Sequence, residues 1–376
     1  MFCACCRIPG QRSGGFFAEG IAEPVLDPEA ALARRAAYRR RSGFTAAPAA
    51  HPEQSDFVIR EACILTMDAN LGDLPVADLH VRDGVIMNLG RDLRVTGMLE
   101  IDARSTVAIP GFIAGHRHLC SDLLAGAPAE RVAPPCDGPD GGLPDLSPAA
   151  EADIYRAVRL ALLDALSAGI TTVNHCGYDI GGAHAETAII AQLDSGVRGR
   201  FSFPLDGPAA DPASDADALA KLGRNWFTAH GDHLLELGVS ADRMPGGLAP
   251  IAASLPAAVG HDEPAPETIE QRTGEAARGL GLDYGIGSLS PGKCADLVLI
   301  DAGARGQAGR LSPPEARACV RHASAADVVL VAVDGRLRKR NGVLVEPNEG
   351  LIRREGRDAI ARLREAARWP QPGAAC

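Results

Sequence analysis

Two imidazoles two residues apart, His116 and His118, carry the clearest chemistry in the sequence. They close the run V-A-I-P-G-F-I-A-G-H-R-H-L-C, Val107 to Cys120. Its apolar start breaks at Pro110-Gly111 and resumes through Phe112 and Ile113. On a strand, residues i and i+2 face the same side, so both rings would point into one space at a buried strand's end. Convergent imidazoles suit a divalent metal ion such as zinc or iron. A bare H-x-H also fits a surface loop, and the apolar strand before this one favours the metal. His175 follows the β-branched run Ile170-Thr171-Thr172-Val173, and a residue just past a parallel strand either lines a substrate pocket or packs. His230 and His233, in T-A-H-G-D-H, sit in a helix-to-strand connection and read as surface groups, as does His261. Asp206, Asp242 and Asp262 read as loop carboxylates. A catalytic zinc site takes three protein ligands and an open position, so two histidines alone would hold an ion weakly. No proton-handling carboxylate is identifiable.

The elements that must position the pair fall into two patterns. From Asp56, short strands surround Phe57-Val58-Ile59, Cys63-Ile64-Leu65, Leu79 to Arg82, Val85-Ile86-Met87 and Leu99-Glu100-Ile101, with Asp83-Gly84 as a hairpin turn. The far end repeats this chemistry in Ala295 to Ile300, Val329 to Val333, Asp334-Gly335, Arg336 to Arg338, Asn341-Gly342 and Val343 to Val345. Two short hairpins cannot each bury a face alone, so both ends are expected to join in one small β-sandwich. Between them helices and strands alternate. A helix is expected from Ser147-Pro148 to Gly169, then strand Ile170 to Val173, helix His184 to Leu193 and strand Val197 to Phe203. Helix Asp215 to Phe227, strand Leu234 to Val239 and helix Glu267 to Leu280 follow. That order predicts parallel strands covered by helices. The expected division is a disordered tail over 1–55 and a composite sheet domain over 56–110 plus 282–346. A partial β/α barrel over 111–281 and a C-terminal helix and tail over 347–376 complete it.

Composition bounds the rest. The chain has 376 residues, 46% hydrophobic and 23% charged, and a net charge of −10, which argues against a nucleic-acid partner. No apolar run approaches the roughly 18 residues of a membrane span. Ten cysteines show no paired framework, and no signal peptide precedes them. They read as reduced thiols of a cytoplasmic protein, with C-A-C-C at the start lacking a nearby fourth metal ligand.

The run P-G-F-I-A-G-H-R-H resembles the first barrel strand of the metal-dependent amidohydrolase superfamily, in its chlorohydrolase- and deaminase-like branch. G-I-T-T-V, Glu236 to Val239, and Ile286-G-S-L-S-P-G-K-C-A-D-L-V-L-I-D301 are similar to further family segments. The resemblance implies a (β/α)8 barrel with a β-sandwich from both chain ends and one divalent ion, zinc or iron, on His116 and His118. It also implies hydrolysis of a C–N or C–Cl bond in a small heterocycle or cyclic amide. A full barrel needs about 250 residues, whereas about 170 lie between Gly111 and Leu280 with four candidate strands. The family's later ligands, two His and an Asp, find no match. The expected fold is therefore a truncated barrel, with Gly246 to Pro266 as the join. The alternative to an enzyme is an inactive remnant with a structural or oligomerising role.

Overall fold

The computed structural model describes residues 56–126, 144–205, 212–227, 234–240, 268–303 and 311–367. The tail 1–55, the Gly246–Pro266 segment, His230, His233, His261, Asp206, Asp242 and Asp262 lie outside them. The first strands are β1 (Phe57–Ile64), β2 (Leu74–Arg82), β3 (Val85–Gly90), β4 (Leu99–Asp102) and β5 (Thr106–Pro110). Next come β6 (Phe112–Arg117), α1 (Leu119–Leu124), α2 (Glu151–Ser167), β7 (Ile170–Cys176), α3 (Ala185–Ser195), β8 (Arg198–Pro204), α4 (Pro212–Trp226) and β9 (Leu235–Ser240). The chain returns through α5 (Ala276–Gly279), β10 (Leu297–Asp301), α6 (Pro313–His322), β11 (Val328–Val333), β12 (Arg336–Arg340), β13 (Val343–Leu344) and α7 (Glu349–Ala366).

The two ends of the chain pair with each other. β5 and β10 run antiparallel, from Thr106 opposite Asp301 to Pro110 opposite Leu297. Through them nine strands form one hydrogen-bonded sheet in the order β13-β12-β11-β10-β5-β1-β2-β3, with β4 beside β1. Successive strand residues face opposite sides. Val107, Ile109, Val298 and Ile300 enter the large core shared with the helices, while Ala108, Leu297 and Leu299 join Phe57, Leu79 and Leu330 in a second core. Both faces are thus buried along the seam, which explains its near-continuous apolar sequence.

The expected turns are present. Asp83, Gly84, Asp334, Gly335, Asn341 and Gly342 all have positive φ, between 48° and 78°. The two Asp-Gly turns also touch. A Cβ on Gly335 would lie 2.5 Å from Gly84 Cα. Ala295 donates to the Gly84 carbonyl and accepts from the Gly335 N–H, clamping the return segment between them.

β6, β7, β8 and β9 form a second, parallel sheet in that order. Gly169 and Gly196, at φ 83° and 66°, end the helices before β7 and β8. Two helix starts differ from the sequence expectation. Asp145 accepts from the Ser147 amide (3.0 Å) and hydroxyl (2.6 Å), and the Ser147 carbonyl faces His184 Nε2 at 3.0 Å. Ser147 is thereby held in a turn, and α2 begins only at Glu151. The helix expected over Glu267–Leu280 opens with a π-helical stretch, Gln271–Glu275, before α5. Arg272 of that stretch lies over the Phe112 ring at 4.0 Å, closing the β6 side of the sheet. Among the described residues no helix is long and apolar enough to cross a membrane.

Candidate functional site

β6 ends at Arg117, and His118 stands at the N-cap of α1, so the pair straddles the strand's C-terminal end. The structure brings the two rings together: Nε2 of His116 and Nε2 of His118 are 3.0 Å apart, with ring centroids at 4.8 Å. With Zn–N bonds of about 2.1 Å, that separation corresponds to an N–Zn–N angle of about 90°, within reach of one ion. Cys176, at the end of the neighbouring β7, completes the arrangement. Its carbonyl lies 3.0 Å from His118 Nδ1, and its Sγ lies 3.3 Å from His116 Nδ1. A carbonyl only accepts, so His118 carries its proton on Nδ1 and presents a bare Nε2, as a metal-binding imidazole must. Burial pushes the Cys176 thiol up to about 12, so it stays protonated; with His118 Nε2 bare, the proton between the two Nε2 atoms belongs to His116, which leaves its Nδ1 to accept from the thiol.

The face behind the pair is polar. In the parallel register Asn174 stands beside Arg200, and Arg200 beside Glu236, with Cys176 beside Ser202 one step along. Asn174 donates to the Gly115 carbonyl at 2.8 Å, and Ser202 donates to Asn174 Oδ1 at 2.7 Å. Deeper in, the fully buried Arg200 donates to Glu236 (3.1 Å) and to the Leu280 carbonyl (2.7 Å). These bonds fix β6 against β7 and β7 against β8 beneath the two imidazoles.

His175 is placed differently. It pairs in register with Arg117, and neighbours in a parallel ladder share a face, so it points away from His116 and His118. Its ring packs edge-on against Phe201 at 5.4 Å on the side that holds Val173 and the helix-side core. Both ring nitrogens are buried without a hydrogen-bond partner. Burial, with the His118 charge adding to it, pushes His175 down to about 3. Of the two roles open to it in the sequence, this placement favours packing.

Three contributors are not evident from the sequence. Cys176 acts through its carbonyl and thiol, and nothing in N-H-C marks it. Asp179 accepts from the Ser121 amide (3.0 Å) and hydroxyl (2.8 Å), capping from outside the helix that His118 begins. Burial pushes this carboxyl up to about 6 against the pull of the Ser121 bonds. Arg117 closes on Asp122 at 2.5 Å, and burial raises the Asp122 carboxyl in spite of that partner. Among the described residues, no group of three or more His, Cys, Asp or Glu side chains converges on a point suited to a metal ion. The residues present thus fit two ligands of an ion.

No protein-family model matches the chain. A 5-methylthioadenosine/S-adenosylhomocysteine deaminase of Desulforamulus reducens is 30% identical over 186 residues, 45% of this chain and 39% of that protein. A 5′-deoxyadenosine deaminase of Methanosarcina barkeri is 27% identical over 119 residues, 31% of this chain and 27% of that protein. The chain spans less than half the length of these curated relatives. Among solved structures, the zinc complex of atrazine chlorohydrolase TrzN from Arthrobacter aurescens TC1 aligns with a TM-score of 0.61 at 16% identity, covering 81% of this chain and 100% of that one. A zinc-bound adenosine deaminase from Xanthomonas campestris aligns with 0.61 at 16%, covering 84% and 100%. Over less than half of its length the chain is similar in sequence to these deaminases, and it shares the fold of the solved chlorohydrolase and adenosine deaminase. Its mixed α/β architecture fits a TIM-barrel-type domain.

Proposed function

We propose that this chain is a metal-dependent hydrolase that cleaves a C–N or C–Cl bond of a small heterocycle, an amino-purine nucleoside being the first candidate. The observation that carries the reading is the 3.0 Å approach of the two Nε2 atoms, with the His118 tautomer fixed by a main-chain carbonyl. A bound divalent ion, zinc or iron, would supply a water acidic enough to ionise near pH 7. His116 and His118 would hold that ion. Asn174 and Ser202 keep the two strands in register below it, and Asp179 holds the helix turn that presents His118. The group that handles the proton is not assigned among the described residues. The reading includes a barrel shortened between Gly246 and Pro266, a sandwich-like folding of the nine-stranded sheet, and a cytoplasmic enzyme with no nucleic-acid partner.

A second reading keeps the family and drops the chemistry: an inactive remnant that is structural or self-associating. The absence of a third converging donor among the described residues favours it. Elemental analysis of purified full-length protein after gel filtration separates the two. About one equivalent of zinc or iron, lost on His116→Ala, together with release of ammonia from 5′-deoxyadenosine or 5-methylthioadenosine or of chloride from a chlorotriazine, supports the hydrolase. Metal-free folded protein that releases neither from any of these leaves the remnant.

A further inference from the structure

The short helix α1 is held at both ends by residues distant in the chain. Asp179, past the end of β7, takes its first turn through the Ser121 amide and hydroxyl. At the other end Arg364 of α7 donates from Nη2 to the Leu124 carbonyl at 2.9 Å and to the Leu123 carbonyl at 3.3 Å. Its Nε adds a third bond, to Leu124 at 3.3 Å. The last carbonyls of a helix have no donor within it, and a guanidinium there also meets the negative end of the helix dipole. α1 carries no basic residue in its own last turn, so that charge comes from 240 residues along the chain.

With six residues, α1 is too short to persist by itself. It is about 9 Å long, so a slip of about 1 Å at its far end tilts it by about 6°. His118, at its N-cap, tilts with it. The far end is fixed through α7, which is itself fastened to α2. Arg353 meets Asp164 and Arg362 meets Asp153, both at 2.6 Å. At Gly356 the two helices come so close that a Cβ would lie 2.6 Å from Leu160 Cβ. α2 runs through Gly169 into β7, whose last residue, Cys176, contacts both imidazoles. One helix therefore sets His118 and Cys176 in a common frame.

We infer that Arg364 is a positioning residue for the histidine pair: its hold on the α1 carbonyls sets the approach of His118 to His116 and to the Cys176 carbonyl. The inference rests on the hydrolase reading for the ligand role of the pair, and the ring geometry is tested without metal.

The test is the 15N spectrum of the histidine rings in the metal-free full chain. A His118 fixed with its proton on Nδ1 should give two well-separated ring nitrogens, assigned by their loss in His118→Gln. In Arg364→Gln they should draw together as the ring leaves the Cys176 carbonyl. Arg364→Lys, which keeps the charge and a donor, should restore much of the separation. Arg362→Gln cuts a tie between α7 and α2 without touching α1, and whatever it does to the melting temperature, it should leave His118 unchanged. Unmoved His118 nitrogens in Arg364→Gln, or equal movement in Arg362→Gln, would overturn the positioning role. Should Arg364→Gln not fold, native-state hydrogen exchange of the unaltered chain gives the answer. The Asp122 and Ala125 amides, bonded within α1, should open together with those of α7, and their opening while α7 stays protected refutes the role. A cobalt(II) titration separates this inference from the reading beneath it. Affinity about tenfold weaker in Arg364→Gln supports both, and equal affinities overturn the positioning role. An unaltered chain that takes up no cobalt overturns the hydrolase reading and leaves the ring spectra to decide the role of Arg364.

Discussion

Removal of the Asp296 carboxylate should unlatch the parallel sheet from the nine-stranded one. Arg198, at the start of β8, holds Asp296 through two bonds, Nε to Oδ2 at 2.7 Å and Nη2 to Oδ1 at 3.0 Å. Asp296 also accepts the Asp334 amide at 2.8 Å, at the second Asp-Gly turn. Its own carbonyl accepts from Gly111 at 2.9 Å, one residue before the strand that carries the histidines. The two side chains are only 12% and 2% exposed. Breaking a buried ion pair by deleting one partner typically costs about 3–5 kcal/mol, because the other charge stays behind. Asp334, 3.2 Å from Arg198, remains as a second carboxylate, so Asp296→Ala is expected near the lower end, about 3 kcal/mol. With a urea m-value of about 3 kcal/mol/M for a chain of this size, the unfolding midpoint should fall by about 1 M. The double variant Arg198→Met with Asp296→Leu should recover at least half of that, since it leaves no orphaned charge. A midpoint change below about 0.3 M for Asp296→Ala would refute the latch, as would a double variant no more stable than the single one.

Three further substitutions follow from buried or strained groups. His175→Leu removes two unpartnered ring nitrogens and should stabilise the fold by about 1–2 kcal/mol. The native His175 value is depressed, so its stability contribution is present above about pH 6.5 and lost as pH falls toward 3. The variant should lose melting temperature less steeply across that window. Asp179, raised to about 6, loses its contribution in the opposite direction, as pH rises from about 3.8 to 6, and is common to both proteins. Identical slopes for the two proteins would count against the buried, neutral His175. Gly335→Ala combines a φ of +70° with a Cβ 2.5 Å from Gly84 Cα, so a backbone must shift, at an expected cost of about 2–4 kcal/mol. Gly342→Ala, at φ +76° with nothing within 4 Å, should cost about 1 kcal/mol. Equal urea midpoints for the two variants would show that the turns do not touch.

The local elements were legible because their signals are local. Asp-Gly and Asn-Gly need positive φ at both central residues, and each such pair among the described residues sits at a turn with that conformation. Gly169 and Gly196 stop helices for the same reason. H-R-H at the end of a strand brings the two rings together, although the strand itself stops at Arg117 and His118 caps the next helix. The miss at Ser147 came from a competing acceptor two residues upstream, Asp145, which no capping pattern reveals. His175 was ambiguous because G-I-T-T-V-N-H gives the strand without its register. Only the pairing with Arg117 decides which side of the sheet the ring faces. Cys176 is not legible because its main-chain oxygen is blind to residue type and its thiol meets His116 only once β7 is paired with β6.

What an ion must displace at the histidine pair follows from the order of the protons. The Cys176 thiol donates to His116 Nδ1, so in the neutral ring the His116 proton sits on Nε2 and is directed at the bare Nε2 of His118. His118 returns its own Nδ1 proton to the Cys176 carbonyl, which closes the loop. Admitting a cation between the two Nε2 atoms requires His116 to move its proton to Nδ1, with the sulfur turning from donor to acceptor. The rings release no net proton in that change, and one N–H···N bond worth about 1 kcal/mol is lost. Zinc sites with a full ligand set are worth about 10 kcal/mol or more, so this opposition is minor. Retention of metal is therefore governed by the third donor rather than by the readiness of the pair. Since no such donor joins the pair among the described residues, the metal content of the full chain is a direct measure of whether one arrives from elsewhere.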